Sequence, residues 1–151
     1  MSYFTDTSAL AKRYLNEKGS VYIRRIFQSR KPSIYQSFLT PLEITSAFYR
    51  RHRAGEISAE ELSVFLKAYA VHSDETYLLI PYTDSMLELA GSLIARHPLR
   101  ALDSIQLASA LWIRDRFSVD AAQLVFLSSD DRLNEAARRE HLEAVNPETR
   151  S

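Results

Sequence analysis

The chain holds 151 residues, 46% hydrophobic and 25% charged, which suits a globular fold with a real core. Nineteen basic residues balance nineteen acidic ones, which excludes a protein that coats nucleic acid by bulk charge alone. The absence of cysteine excludes disulfides, thiolate metal sites and a cysteine nucleophile.

No linker, repeat or low-complexity stretch interrupts the chain, and residues 1–151 read as a single domain. Ser2–Thr5 is a short strand that stops at Asp6, and Thr7–Leu15 carries apolar residues at helical spacing. Val21–Gln28 is a second short helix, stopped before Pro32, and Ser33–Tyr35 is a brief strand. Residues 38–52 form a long helix with Leu39, Leu42, Ala47 and Phe48 on one face, and Gly55 ends it. Ser58 and Glu61 form a capping box for a helix that buries Leu62, Phe65 and Tyr69. Tyr77–Ile80 is a strand closed by Pro81, and residues 83–96 are helical up to His97-Pro98. Asp103–Arg114 is an almost wholly apolar helix, expected to be deeply buried. Gln123–Leu127 is a continuous apolar strand, Asp130 and Asp131 open a last helix, and Glu143–Val145 is a final strand.

Five strands alternating with helices predict an α/β fold, a three-layer α/β/α sandwich with a mainly parallel five-stranded sheet. Ligand sites of such sheets sit at the carboxyl ends of the strands, where Asp6 and Asp130/Asp131 fall.

Four acids stand out. Asp6, Asp103 and Asp130 each start a helix, so each alone reads as an N-cap. Glu43 sits between Leu42 and Ile44, well past the first turn of helix 38–52, where capping does not explain it. Converging carboxylates repel and are costly to bury without a counter-ion. Oxygen donors alone, with no cysteine and no histidine pair at ligand spacing, favour Mg²⁺ or Mn²⁺ over Zn²⁺. Such ions support phosphodiester hydrolysis. Between Arg24 and Arg53 seven basic residues face one acid, Glu43, which makes either a basic face beside an acidic pocket or a set of solvated helix faces.

Four segments carry a family resemblance. Tyr3 to Lys12 (YFTDTSALAK), Leu42-Glu43-Ile44, Leu99 to Ala108 (LRALDSIQLA) and Phe126 to Leu133 (FLSSDDRL) resemble, in order, the acidic blocks of PIN domains, especially VapC-type toxins. The resemblance runs from Tyr3 to about Ala137. It implies metal-dependent RNA cleavage with Asp6, Glu43, Asp103 and Asp130 as catalytic and metal-binding residues. It also implies that Thr7, Ser8, Ser104, Ser128 and Asp131 orient the carboxylates, with Asp130 or Asp131 as the fourth acid. Arg50, Arg51, Arg53 and Arg100 are candidate contacts to RNA phosphates. A small VapB-like antitoxin and a homodimer are the implied partners.

A PIN-fold protein that binds RNA or a partner with little catalysis, or a PIN nuclease outside a toxin–antitoxin pair, shares the same motifs. A receiver domain would need a late lysine, whereas the last here is Lys67, and a haloacid-dehalogenase-type phosphatase would need an acid where Ser8 stands. No Gly-rich nucleotide loop or G-x-S-x-G motif occurs. Met1 to Phe4 form no leader, and no apolar run approaches the ~18 residues of a membrane span, so a cytoplasmic protein is expected.

Overall fold

The computed structural model describes residues 1–116 and 123–150. Five parallel strands form one sheet: β1 (Ser2–Thr5), β2 (Ser33–Ser37), β3 (Tyr77–Ile80), β4 (Leu124–Leu127) and β5 (Glu143–Val145), in the order β3-β2-β1-β4-β5. The chain builds outward from β1 to β3, then returns to lay β4 and β5 on the other side of β1. The crevice of this sheet therefore opens between the carboxyl ends of β1 and β4.

Helices cover both faces, as parallel strands require. On one side lie α1 (Thr7–Ala11), α2 (Ser20–Gln28), α3 (Thr40–Arg53) and α4 (Ala59–Glu75), packed on Ile34, Val125 and Leu127. On the other lie α5 (Asp84–Arg96), α6 (Ala101–Arg116) and α7 (Asp131–Arg139), packed on Phe4, Leu124 and Phe126. The two-residue side-chain period of strands sorts neighbours between these cores. Phe4 and Phe126, directly paired across β1 and β4, stack with centroids 5.5 Å apart. Among the described residues, no helix is long and apolar enough to cross a membrane.

The expected α/β/α sandwich is the observed one, and several details differ. The helix expected over 7–15 is only five residues long. Beyond Ala11 the amides of Lys12, Arg13 and Tyr14 bond three residues back, which tightens the chain into a turn. Strand β2 runs on to Ser37. Helix α3 opens at Thr40, with Pro41 in its first turn, so Glu43 lies in that first turn and not beyond it. Its buried row is Thr40, Ile44 and Phe48, an i, i+4 series, while Leu42 is 72% exposed. The capping box of Ser58 and Glu61 forms as read from the sequence.

Phe126→Ala should cost about 3–5 kcal/mol, because it removes a fully buried ring and its stacking partner's contact. Urea unfolding of the variant measures this, and a loss below about 1 kcal/mol would contradict the packing described.

Candidate functional site

Asp6 follows β1 directly, and its backbone amide extends the ladder by one bond to the Leu127 carbonyl at 3.0 Å. Its side chain caps α1: Oδ1 accepts from the Ala9 amide at 3.0 Å and from the Ser8 hydroxyl at 2.7 Å. Oδ2 accepts from the Ser128 hydroxyl at 2.7 Å. Both hydroxyls are also acceptors. Ser128 Oγ takes the Asp130 amide at 3.0 Å, and Ser8 Oγ takes the Ser129 amide at 2.9 Å. The loop after β4 is thereby fastened to the carboxylate after β1.

Asp130 caps α7, accepting from the Arg132 amide at 2.8 Å. Asp103 is the third residue of α6, and a backbone hydrogen bond at Arg100 favours its charged form. Glu43 is held from two other elements. Its Oε1 accepts from the Thr7 hydroxyl at 3.1 Å and from Gln106 Nε2 at 2.7 Å. Asp6, Glu43, Asp103 and Asp130 all line one cleft of about 850 Å³.

The electrostatics of the four are linked. Burial pushes the Asp6 carboxyl up to about 6, against hydrogen bonds that favour its ionised form, and Glu43 raises it further. Burial also raises Glu43, with Asp103 adding to the effect, and Gln106 and Thr7 oppose it. Asp103 is raised by burial and by Asp130, and Arg100 counteracts this. Each acid thus feels the next, from Asp6 through Glu43 and Asp103 to Asp130.

Among the described residues, no three His, Asp or Glu side chains are grouped so as to hold a metal ion by themselves. The donor set still fits a hard cation of the Mg²⁺ type. Such an ion takes one or two carboxylates, keeps several waters and is completed by substrate phosphate. Repulsion within an all-oxygen set, of which Asp6 is buried and the others partly so, is what a cation relieves.

The remaining expected residues divide. Thr7, Ser8 and Ser128 each donate to a site carboxylate. Ser104 does not: it is one step around the helix from Asp103, and its hydroxyl donates to the Ala101 carbonyl at 2.7 Å. Asp131 stands outside the cleft wall, and its carboxylate accepts from the Asn146 side chain at 2.9 Å. Arg50, Arg51 and Arg100 line the cleft. Arg53, at the end of α3, does not, and its guanidinium lies 5.7 Å from the Tyr49 ring centre. Arg51 is drawn into ion pairs with Glu17 and Glu56.

Two residues were missed. Gln106, 3% exposed, bridges to Glu43 and to the hydroxyls of Thr7 and Thr40. Its signal was position: it lies three residues after Asp103 on the same face of an otherwise apolar helix. Lys12 is a buried cation in the cleft wall, six residues after Asp6, and its spacing alone did not mark it.

No family model and no curated protein matches the sequence. Solved structures do match its fold. PAE2754 from Pyrobaculum aerophilum is 23% identical with a TM-score of 0.62, covering 99% of this chain and 91% of its own. VapBC-1 from nontypeable Haemophilus influenzae is 14% identical with a TM-score of 0.62, covering 97% and 98%. VapC20 from Mycobacterium tuberculosis, a sarcin–ricin loop cleaving toxin, is 17% identical with a TM-score of 0.64, covering 89% and 94%. These likenesses establish the fold, the PIN-like sandwich.

The Asp6 shift has a signed consequence. Its folded value, about 6, lies above the ordinary 3.8, so the fold favours the neutral acid. That stabilisation is full below about pH 4 and is lost as pH rises through 6. Asp6→Asn escapes the loss. Without divalent metal, its stability relative to wild type should therefore improve by about 2 kcal/mol between pH 4 and pH 7.5. Denaturant melts in EDTA at the two pH values measure the difference. A difference that does not change with pH would show an ordinary carboxylate at this position.

Proposed function

We propose that this protein is a metal-dependent endoribonuclease, the toxin of a toxin–antitoxin pair held inactive by a small VapB-like antitoxin. The observation that carries this is the convergence of Asp6, Glu43, Asp103 and Asp130 on one cleft with cationic side chains in its wall. The cleft opens at the strand-order reversal of a fold shared with a sarcin–ricin loop cleaving toxin.

The residues act as follows in this reading. Asp6, Asp103 and Asp130 would hold Mg²⁺ or Mn²⁺, and Glu43 would be a further ligand or orient the attacking water. When bound, such an ion would supply Lewis acidity and lower the pKa of a water it holds. Ser8 and Ser128 fix both oxygens of Asp6, so its lone pairs are pre-aimed. Thr7 and Gln106 do the same for Glu43. Arg50 and Arg100 bind phosphates flanking the scissile bond, contacts that position the strand without reading its sequence. The product of in-line attack is a 5′ phosphate. A homodimer is the expected assembly, and the faces near residues 9–28 and 44–69 are the expected seat of the antitoxin.

A second reading is a PIN-fold RNA-binding protein with little catalysis. It is favoured by the lack of a ready-made three-carboxylate cage among the described residues. One experiment separates the two. Purified protein is incubated with folded RNAs in Mn²⁺, Mg²⁺ or EDTA, beside Asp6→Asn and Asp103→Asn. The expected result is metal-dependent cleavage that both substitutions abolish. Thr7→Val and Ser128→Ala should retain activity reduced about 10- to 100-fold. Cleavage that survives in EDTA or in both aspartate variants would overturn the metal-site reading. RNA binding without any cleavage would favour the second one.

A further inference from the structure

Opposite the four acids, the cleft holds a second charged centre. Lys12 follows α1 directly and is 3% exposed. Its Nζ donates to Glu17 at 2.9 Å and to Glu148 at 2.8 Å. A buried ammonium needs such partners, but the two carboxylates are not equivalent. Glu17 is also paired with Arg51, so it is held on two sides. Glu148 belongs to the 3₁₀ turn Pro147–Thr149, and its side chain is 37% exposed.

That turn is laid across the cleft wall like a strap. Asn146 anchors it to the loop that carries Asp130, through its side-chain bonds to the Ser129 carbonyl and to Asp131. On the other side it presses on Gly19, whose φ is +86° and whose missing Cβ would lie 2.8 Å from the Pro147 carbonyl carbon. The result is a carboxylate resting on a buried cation inside a cleft whose wall also holds Lys18 and Arg50. Phosphate oxygens and carboxylate oxygens satisfy an ammonium in the same way.

We infer that Lys12 is a phosphate-binding position for the RNA strand, and that Glu148 occupies it as an internal anion until a backbone phosphate displaces it. This rests on the reading that the cleft takes RNA. Asp6 and Lys12 cap opposite ends of α1, so Lys12 serves a phosphate beside the reacting one and not the reacting one itself. Lys12 is thus a binding residue, and the terminal turn sets how readily the strand enters.

The test reads binding and not cleavage. A fluorescein-labelled single-stranded RNA is titrated in EDTA against wild type, Glu148→Gln, and Glu148→Gln combined with Lys12→Gln, with thermal melts alongside. Glu148→Gln should bind about 3- to 10-fold tighter, since it removes a competing anion. The added Lys12→Gln should cancel the gain and flatten the salt dependence by about 0.7 in log–log slope. Unchanged or weaker binding by Glu148→Gln overturns the proposal, and so does a gain that persists without Lys12. A Glu148→Gln protein that melts well below wild type and binds no tighter marks the contact as a structural pin, which also overturns it. Wild-type protein that binds no RNA at all overturns the reading of the cleft itself, whereas wild-type binding that Glu148→Gln leaves unchanged overturns only the strap.

Discussion

The Ser128 hydroxyl gives its proton to Asp6 and takes the amide proton of Asp130, and most of the site depends on that one group. Asp6 and Asp130 follow the neighbouring strands β1 and β4, so the two loops that carry them run side by side. A hydroxyl that donates to the Asp6 carboxylate and accepts from the Asp130 amide ties the two loops together. The Ser8 hydroxyl repeats the device beside it, between Asp6 and the Ser129 amide. The sheet supplies the rigid base. The Phe4–Phe126 stack lies directly beneath, so the loop positions are fixed by packing as well as by hydrogen bonds.

Glu43 is held by a different logic. It lies in the first turn of α3, which follows β2 closely, and is held there by Thr7 on α1 and Gln106 on α6. Three helices from both layers therefore meet at one carboxylate. The basic side chains follow the same division. Arg50 and Arg100 stand in the cleft wall, while Arg51 is absorbed by Glu17 and Glu56 and Arg53 lies against Tyr49. A run of charges in sequence thus resolves into separate tasks once the helix rotates each residue by about 100°.

What the sequence made legible was whatever local chemistry signals. Asp6 and Asp130 sit where strand pattern gives way to helix pattern, and the capping box at Ser58 is a purely local motif. The alternation of five apolar runs with helices was enough for the sandwich. What escaped was set by tertiary contact. The orientation of α3 put Ile44 inward and Leu42 outward, although both are apolar and only two apart. Gln106 had no local reason to be special until Glu43, 63 residues away, was seen against it. Lys12 likewise gains meaning only from Glu148, 136 residues on. Ser104 looked equivalent to Ser8 and Ser128 as a hydroxyl beside an acid, but the helix backbone captures it.

The separation of Asp6 from Ser128 bears on how the molecule comes into being. The two are 122 residues apart in the chain, and β1, which precedes the other four strands in sequence, sits at the middle of the sheet. During synthesis from the amino terminus, β1 has only β2 and β3 beside it until β4 emerges. Asp6, Glu43 and Asp103 are all translated before the hydroxyl that fastens the first of them. A chain interrupted before Ser128 carries three of the four acids and no assembled cleft. Sheet order thus delays the meeting of the four acids until β4 and the loop after it have joined the sheet, which makes the cleft a product of the latest long-range pairing.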